Sequence, residues 1–344
     1  MPGLPGMSWK TASAMLAAAG LLSAATACSS PAAANGGGSS STSTGAAGTA
    51  SGGTAAVEKP DITIGVVPAV ANAGLYIADM RGIFAAQGLH VKMVTITSSA
   101  DVLATLLNGS VDILAGNYVS EIQAEANNPG AVQLRVLADG SLTTAHSRSL
   151  MVAAGSPIKT LAQLKGKTVA VNALNNAASL LVESALQQHG IPPSSVRLVA
   201  IPFPNEAAAL NAHQVDAAWM TEPFISVGKA KYGLTELYDT NQGATSSFAI
   251  DGYVSTQAWA RKYPKTAAAF IRAIDQGQQL ATTSRPDLNA AMIKFLGTTP
   301  EIATMITPDT YPVGVSQARL QHVADLMLQF GLLKHSFSVA AMAG

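Results

Sequence analysis

Short apolar runs alternate with segments of helical periodicity along most of the chain. Residues 62–67 (ITIGVV) form an apolar run typical of a buried strand, and residues 75–87 carry a helical pattern. Residues 89–96 alternate apolar and polar side chains, as a half-buried strand does. This alternation favours parallel α/β units. Further strands are predicted over 113–115, 134–138, 168–171, 196–201 and 217–220, with helices over 102–107, 179–189 and 206–211.

The last third of the chain follows a different pattern. One more strand is predicted over 249–255, and only helical patterns follow it. Apolar residues repeat at helical spacing over 270–274 and again over 320–327. Helices that have no strands of their own must bury their apolar faces on an existing sheet. We therefore expect residues 250–344 to pack onto the sheet formed by the start of the chain.

Two stretches of the chain repeat the same features at nearly one offset. Gly88 and Gly190 both follow a predicted helix and lie 102 residues apart. Asp112 and Asp216 both follow a valine just before a predicted strand and lie 104 residues apart. The repetition predicts two lobes with related βαβ topology.

The order of the elements predicts how the chain divides between these lobes. Lobe 1 takes residues 59–147 and 250–344, and lobe 2 takes residues 148–249 between them. Two crossing segments, near 148–153 and 249–255, would then form a hinge. Ligands of open parallel sheets bind at the carboxyl ends of the strands, so the loops after the strands of both lobes would line one cleft.

The first 57 residues differ from the rest in charge and composition. Lys10 is their only charged side chain, and it precedes an alanine-rich stretch that ends in Ala25-Thr26-Ala27-Cys28. A basic residue, a short apolar core and small residues are typical of a secretory signal. The ending is similar to a bacterial lipobox, which predicts a signal peptide over 1–27 and lipid attachment at Cys28. The alternative is an ordinary secretory signal with Cys28 as an incidental thiol.

The segment after the signal predicts a flexible tether. Of the 30 residues from 28 to 57, 26 are Ser, Gly, Ala or Thr, which is too little apolar surface to offset the entropy of ordering. We therefore expect residues 28–58 to link an anchor to the folded lobes. Cys28 is the only cysteine in the chain, so an internal disulfide is excluded.

The net charge of the chain argues against two classes of binding partner, nucleic acids and charged membrane surfaces. The chain has 20 basic and 20 acidic residues, so it offers no electrostatic footprint for nucleic acid or for a membrane surface. The 48% of hydrophobic residues is ample for a packed core. The partners that this composition leaves open are small molecules and proteins.

Several short motifs occur in an order typical of one family. Lobe 1 carries Gly74-Leu75-Tyr76-Ile77-Ala78, Gly82-Ile83-Phe84 and Gly109-Ser110-Val111-Asp112, and lobe 2 carries Leu164-Lys165-Gly166-Lys167-Thr168-Val169 and Glu222-Pro223-Phe224. Over about residues 60–330 the chain resembles the nitrate/sulfonate/taurine (SsuA/THI5-like, NMT1) family of ABC-transporter substrate-binding proteins.

The resemblance implies an architecture and a cellular setting. The expected fold is α/β, the type II periplasmic-binding-protein fold, with two βαβ lobes joined by a two-segment hinge. The expected protein is a monomeric extracytoplasmic lipoprotein that binds a small-molecule ligand and delivers it to an ABC permease and its ATPase by hinge closure. No enzyme activity, cofactor or metal is expected, since no catalytic or metal-binding motif is found and the six histidines are scattered.

Ligand contacts are predicted in the loops after the strands. There, helix N-termini present unpaired N–H groups and partial positive charge. The expected contact residues are Pro68, Asn117, Tyr118, Asn175, Asn176, Phe203, Glu222 and Asp251.

The residue types in the predicted cleft bear on the ligand. Asparagines occupy the loop 172–179, where the family typically has glycine and hydroxyl residues that cradle a sulfonate. Arg148 and His146 are the only cations in or near the predicted loops, against the acids Glu121, Glu206, Glu222 and Asp251. The expected ligand is a small polar organic molecule, a taurine-like zwitterion or an alkylsulfonate-like anion, and a zwitterion or a neutral polar heterocycle fits this cleft better than nitrate. The acids can equally serve as helix caps or as ion-pair partners at the hinge.

Other functions remain open at this point. A neutral heterocycle such as a thiamine-precursor pyrimidine suits amide side chains, and a tethered sensor without transport would need the same cleft. An enzyme similar to the thiamine-pyrimidine synthases is disfavoured, because those enzymes rely on a cysteine-rich segment and no cysteine follows Cys28.

Overall fold

The computed structural model describes residues 56–97 and 99–344. The predicted signal peptide, the lipobox with Cys28 and nearly all of the predicted tether lie outside these residues. Ten strands are described: β1 (Asp61–Val66), β2 (His90–Thr95), β3 (Ile113–Asn117), β4 (Leu134–Leu142), β5 (Arg148–Val152), β6 (Thr168–Val171), β7 (Arg197–Ala200), β8 (Ala217–Thr221), β9 (Thr235–Asp239) and β10 (Ala249–Thr256).

Thirteen α-helices are described around these strands. They are α1 (Ala73–Met80), α2 (Ile83–Ala86), α3 (Ser99–Leu107), α4 (Tyr118–Asn127), α5 (Ala177–Gln188), α6 (Phe203–Asn211), α7 (Phe224–Tyr232), α8 (Gln257–Lys262), α9 (Pro264–Thr283), α10 (Arg285–Leu296), α11 (Pro300–Met305), α12 (Gln317–Gln329) and α13 (Ala340–Ala343). Short 3-10 turns cover Val70–Asn72, Leu161–Leu164, Pro193–Ser195 and Gly243–Thr245. None of the helices described is both long and apolar enough to cross a membrane.

The strands form two five-stranded sheets of the same topology. Sheet 1 has the order β2-β1-β3-β10-β4, and sheet 2 has the order β7-β6-β8-β5-β9. In each sheet the first three strands are parallel, and the fourth is antiparallel to both of its neighbours. The fourth strand is the one the chain enters as it crosses between the sheets, β5 on the way out and β10 on the way back.

The paired aspartates explain why the two halves of the sequence repeat each other. The Asp112 carboxylate accepts a hydrogen bond from the Thr63 N–H at 2.9 Å, and the Asp216 carboxylate accepts one from the Thr168 N–H at 2.8 Å. The N–H of each aspartate also donates to the carbonyl of the same threonine, at 2.9 Å in both lobes. Each aspartate thereby fastens the loop before one parallel strand to the start of the neighbouring strand.

The crossing segments are joined to each other. The Thr143 N–H donates to the Phe248 carbonyl at 2.9 Å, and the Phe248 N–H donates to Thr143 Oγ1 at 3.0 Å. The Arg148 carbonyl accepts from the Thr240 N–H at 3.2 Å and from Asn241 Nδ2 at 3.1 Å. The two segments therefore run side by side where they leave the sheets, which is the arrangement a two-segment hinge requires.

The helices after β10 pack against the first sheet and its helices. Helix α9 contacts α1 and β4, and α12 contacts α4 and β10. Helices α1 and α9 approach so closely that a Cβ on Gly277 would overlap the Gly74 carbonyl oxygen. Glycine at this contact lets two helix backbones touch.

The observed elements differ from the predicted ones in several places, among them strand β9 and helix α7, where no element was predicted. The helix predicted over 75–87 is two helices, α1 and α2, because Gly82 between them has a left-handed backbone (φ 68°). Helix α4 was not predicted: residues 116–118 were expected to form a loop, and no helix was expected between the strands at 113–115 and 134–138.

Candidate functional site

A small cavity lies between the two sheets, with walls from both. Its volume is about 70 Å³. Residues of three segments, 67–72, 115–117 and 250–251, line it from the side of sheet 1. The facing wall comes from residues 148 and 203 and from parts of the segments 172–178 and 219–221. The lining residues are Val67, Ala69, Ala71, Asn72, Ala115, Gly116, Asn117, Arg148, Asn172, Asn176, Ala177, Ala178, Phe203, Trp219, Thr221, Ile250 and Asp251.

Strand direction explains why these residues meet. Strands β1, β3, β6 and β8 are parallel within their sheets and end at the cavity. Strands β5 and β10 are antiparallel to their neighbours, so they begin at the same edge. The cavity thus lies at the carboxyl ends of the parallel strands, where open α/β sheets bind ligands.

Asparagines supply much of the polar wall. Asn176 caps α5, with its Oδ1 accepting from the Ala178 N–H at 3.0 Å, and its Nδ2 donates to Asn172 Oδ1 at 3.0 Å. Asn117 caps α4 by accepting from the Ser120 N–H at 3.0 Å. Asn72 Nδ2 donates to the Val67 carbonyl at 2.8 Å. These bonds fix the orientation of the amides at the cavity wall.

Aromatic side chains form the wall on the side of sheet 2. Phe203 packs against Trp219 with ring centroids 6.2 Å apart and stacks on Phe224 at 5.5 Å. The Trp219 Nε1–H donates to Thr240 Oγ1 at 3.0 Å, which fixes the indole. The cavity therefore offers a flat apolar face beside its amides.

One cation lines the cavity in the described part of the chain, and it is already paired. Arg148 and Asp309 are both buried, and the guanidinium donates to the carboxylate through two bonds of 2.8 and 2.7 Å. Burial lowers the pKa of Arg148, but the hydrogen-bonded charge of Asp309, with Asp251 and Tyr311 adding to it, leaves the pKa above its ordinary value. The pair contributes no net charge to the cavity.

Asp251 is the other charged group on the cavity wall. Its Oδ1 accepts from the Ser141 N–H at 2.7 Å, and no salt bridge involving Asp251 is found among the described residues. Its side chain packs against Gly140, where a Cβ would overlap the carboxylate. A carboxylate held this way faces the cavity without a counter-ion in contact.

The surroundings of Asp251 weaken its acidity. Burial is the main cause that raises its pKa, to about 7, and the Asp309 charge adds to the effect. Arg148 and the hydrogen bond from Ser141 act in the opposite direction. Asp251 is therefore partly protonated at neutral pH.

Glu222 lies at a contact between the lobes, outside the cavity lining. Its carboxylate caps α7 by accepting from the Ser226 N–H at 3.1 Å, and it accepts from the Thr307 N–H at 3.3 Å. Its carbonyl accepts from the Val70 N–H at 3.1 Å. Burial raises the pKa of Glu222. Glu222 thus connects α7 with residues 70 and 307 of lobe 1.

The other predicted residues are divided between the cavity and its surroundings. Asn117, Asn176, Phe203 and Asp251 line the cavity, whereas Pro68 lies between two lining residues and is not one itself. Tyr118 is buried, and its hydroxyl donates to Asp139 Oδ1 at 2.6 Å. Asn175 is exposed, with a left-handed backbone (φ 54°).

The remaining charged candidates also lie outside the cavity lining. His146 is exposed, and its Nδ1 is 2.8 Å from Glu236 Oε1. Glu206 on α6 is buried, both of its carboxylate oxygens lack a hydrogen-bond partner within the described residues, and burial raises its pKa well above the ordinary value. Burial without a partner favours the neutral form of Glu206.

Several lining residues were missed as contacts by the sequence reasoning. Asn72 and Thr221 each lie in a loop that follows a predicted strand, and Trp219 lies two residues before the second of these loops. Thr221 Oγ1 is buried without a hydrogen-bond partner in the described part of the chain. For Asn72 and Thr221, a polar residue just after or at the carboxyl end of a predicted strand was a signal that could have identified them as contacts. For Trp219 the sequence carried no such signal, because a tryptophan within a predicted strand is expected in the hydrophobic core.

The fold and the cavity define a class of protein. Two α/β lobes of equal topology, two crossing segments and a cavity at the strand ends are the architecture of the periplasmic binding proteins. The chain belongs to the NMT1/THI5-like family, whose model matches residues 70–287. Among the described residues, no group of three or more His, Cys, Asp or Glu side chains could hold a metal ion.

Individual relatives agree with this placement. The "Putative aliphatic sulfonates-binding protein" of Escherichia coli (strain K12) is 26% identical over 246 residues, which is 70% of this chain and 74% of that protein. The alkanesulfonate-binding protein SsuA from Xanthomonas axonopodis pv. citri bound to MOPS has a TM-score of 0.70 and 20% identity, covering 83% of this chain and 98% of that chain.

A nitrate-binding protein shares the fold as well. The periplasmic nitrate-binding protein NrtA from Synechocystis PCC 6803 has a TM-score of 0.70 at 15% identity, covering 84% of this chain and 86% of that chain. The same fold thus carries proteins named for ligands of different chemistry, so the ligand has to be argued from the cavity of this chain.

Replacing Asp251 by Asn tests its electrostatic surroundings. The pKa of Asp251 is higher in the folded protein than in the unfolded chain, so the folded protein loses stability as the pH rises from about 4 to about 7. Without ligand, the free energy of unfolding of Asp251→Asn relative to wild type should therefore rise between pH 5 and 8. The slope should be at most about 1.4 kcal/mol per pH unit.

Urea denaturation at pH 5, 6, 7 and 8 measures this trend. Asp325→Asn, which removes an exposed carboxylate on α12, is the matched control and should show no comparable trend. A difference between Asp251→Asn and wild type that stays constant or falls with pH contradicts the assignment.

Proposed function

We propose that the chain is an extracytoplasmic solute-binding lipoprotein that delivers a small polar ligand to an ABC importer. The ligand is a taurine-like zwitterion, and it binds between the lobes. The observation that carries the proposal is the pairing of Arg148 with Asp309 beside an Asp251 carboxylate that has no ion-pair partner. The cavity therefore favours a ligand with a cationic end over a bare anion.

The two ends of a zwitterion match two parts of the cavity. An ammonium group would lie against Asp251, which would ionise fully because an adjacent positive charge lowers the pKa of a carboxyl. An acidic group would lie near the N-terminus of α5, where the helix dipole and the amides of Asn172 and Asn176 favour negative charge.

Closure of the lobes supplies the mechanism of delivery. Glu222 bonds to Val70 and Thr307 across the cleft, and these contacts belong to a closed arrangement. The paired crossing segments at Thr143 and Phe248 would bend when the lobes separate. A ligand that touches both lobes stabilises the closed form, and a permease that recognises that form receives loaded protein.

A second ligand class is favoured by the aromatic wall. Phe203 and Trp219 offer a flat apolar face next to the amides of Asn117 and Asn176, which suits a neutral heterocycle such as a pyrimidine. Asp251, whose pKa is about 7, could donate or accept a hydrogen bond with such a ring. A sensor without transport would use the same cavity, and the presence of permease and ATPase genes beside this one distinguishes the two roles.

A matched pair of ligands tests the role of Asp251. Taurine and propane-1-sulfonate share the sulfonate and nearly the same size, but only taurine carries an ammonium group. Asp251→Asn should weaken taurine binding by roughly tenfold or more, because the ammonium group loses a buried charge partner. The affinity for propane-1-sulfonate should stay the same or increase. Isothermal titration at pH 8 measures both constants.

The outcomes of this titration separate the candidate ligands. If Asp251→Asn weakens the affinity for taurine and for propane-1-sulfonate equally, Asp251 has a structural role. If the affinity for taurine is unchanged, the ammonium group does not contact Asp251. If the wild type binds an aminopyrimidine but neither taurine nor propane-1-sulfonate, the ligand is a neutral heterocycle and not a zwitterion.

Cys28→Ala tests the lipid anchor. The lipobox resemblance at Ala25-Thr26-Ala27-Cys28 predicts that the thiol carries a diacylglycerol, which holds the protein at the outer face of the membrane. In bacterial cells the variant should move from the membrane fraction to the soluble extracytoplasmic fraction. Ser29→Ala, next to the cysteine, is the control, and an unchanged membrane fraction for Cys28→Ala would refute the anchor.

A further inference from the structure

Asp309 holds a position beside the cavity without lining it. It lies in the segment between α11 and α12, and its carboxylate is fully buried. Its neighbours are anchored on both sides: the Thr310 N–H donates to the Leu142 carbonyl at 3.0 Å, and the Tyr311 hydroxyl donates to the Val70 carbonyl at 3.0 Å. The backbone therefore fixes where this carboxylate lies.

Arg148 is fixed just as firmly from the other side. Its carbonyl accepts from Thr240 and Asn241, and its Nη1 donates to the Ser147 carbonyl at 3.0 Å. Neither partner of the ion pair can swing away without breaking several hydrogen bonds. The surrounding backbone therefore holds the ion pair in place in this arrangement of the lobes.

Arg148 has N–H groups that no protein acceptor in the described residues uses. Of the five N–H groups of a guanidinium, two on Nη1 and one on Nη2 have protein acceptors. Nε–H and the second Nη2–H have none within the described residues. Arg148 can therefore donate hydrogen bonds to a ligand while Asp309 cancels its charge.

We infer that Asp309 is a specificity-determining residue that sets the charge class of the ligand from outside the cavity. This inference rests on the proposed function, since it concerns the ligand of the same cavity. With Asp309 in place, a bare anion meets no net positive charge and faces the Asp251 carboxylate. With Asp309 neutral, Arg148 becomes a buried cation with two free N–H groups, which is a site for an oxyanion.

Asp309→Asn tests this directly, because asparagine keeps the shape and removes the charge. Methanesulfonate and nitrate are titrated into wild type and variant at constant ionic strength, with chloride as the balancing anion. The variant should bind both probes roughly ten- to hundredfold more tightly than wild type does. The probes should also raise its melting temperature while leaving that of the wild type unchanged.

Two further variants show whether the effect belongs to this ion pair. Asp287→Asn removes the partner of Arg81 in an ion pair away from the cavity, and it should respond to the anions as wild type does. Asp309→Glu keeps the charge and should keep the weak anion binding of the wild type. A variant Asp309→Asn that gains no anion affinity overturns the inference.

The wild type supplies a second test that needs no variant to fold. Methanesulfonate and nitrate at millimolar concentration should leave its melting temperature unchanged. Tight binding of either probe with Asp309 in place would overturn the role of Asp309 while leaving a solute-binding function intact. Conversely, a failure to bind taurine contradicts the proposed ligand, but a gain of anion binding in Asp309→Asn would still support this inference.

Discussion

The buried ion pair between Arg148 and Asp309 is the interaction on which the site depends. Arg148 is the first residue of the strand that carries the chain into sheet 2, and Asp309 belongs to the segment that follows α11 after the chain has returned to sheet 1. Removing both charges from water costs free energy that their attraction offsets only with good geometry. The two short parallel hydrogen bonds meet that requirement. One contact thus joins the crossing segment, the cavity and the C-terminal part of the chain.

The position of this pair decides how the rest of the cavity is used. Because the one lining cation in the described residues is neutralised, recognition passes to asparagine amides, the α5 N-terminus, an aromatic face and Asp251. Amide groups bind a ligand through directional hydrogen bonds more than through net charge. They therefore discriminate between ligands by shape and by the pattern of hydrogen-bond donors and acceptors. The buried carboxylate of Glu222 serves another purpose, because it accepts hydrogen bonds from the N–H groups of Ser226 in α7 and of Thr307 on the other side of the cleft.

The fold was largely predictable from the sequence, and the site only in part. Hydrophobic periodicity located most strands, and the repeated aspartates at 112 and 216 pointed to two related lobes because each fastens the same loop. Four predicted contacts, among them Asn176 and Asp251, line the cavity because strand ends converge there. Tyr118 and Glu222 do not line the cavity, because each is bonded elsewhere, Tyr118 to Asp139 and Glu222 to Thr307. These contacts could not be predicted, since the partners are distant in sequence. The neutralisation of Arg148 was unpredictable for the same reason: Asp309 is 161 residues away.

The central claim is that Asp251 pairs with a cationic group of the ligand, and proton exchange on binding tests it most directly. Near pH 7 the free protein holds a proton on part of its Asp251 population. Calorimetric titration with taurine in buffers of different ionisation enthalpy should show release of up to about half a proton per ligand, which Asp251→Asn should abolish. Proton uptake, or binding without any exchange at pH 7, would contradict the account.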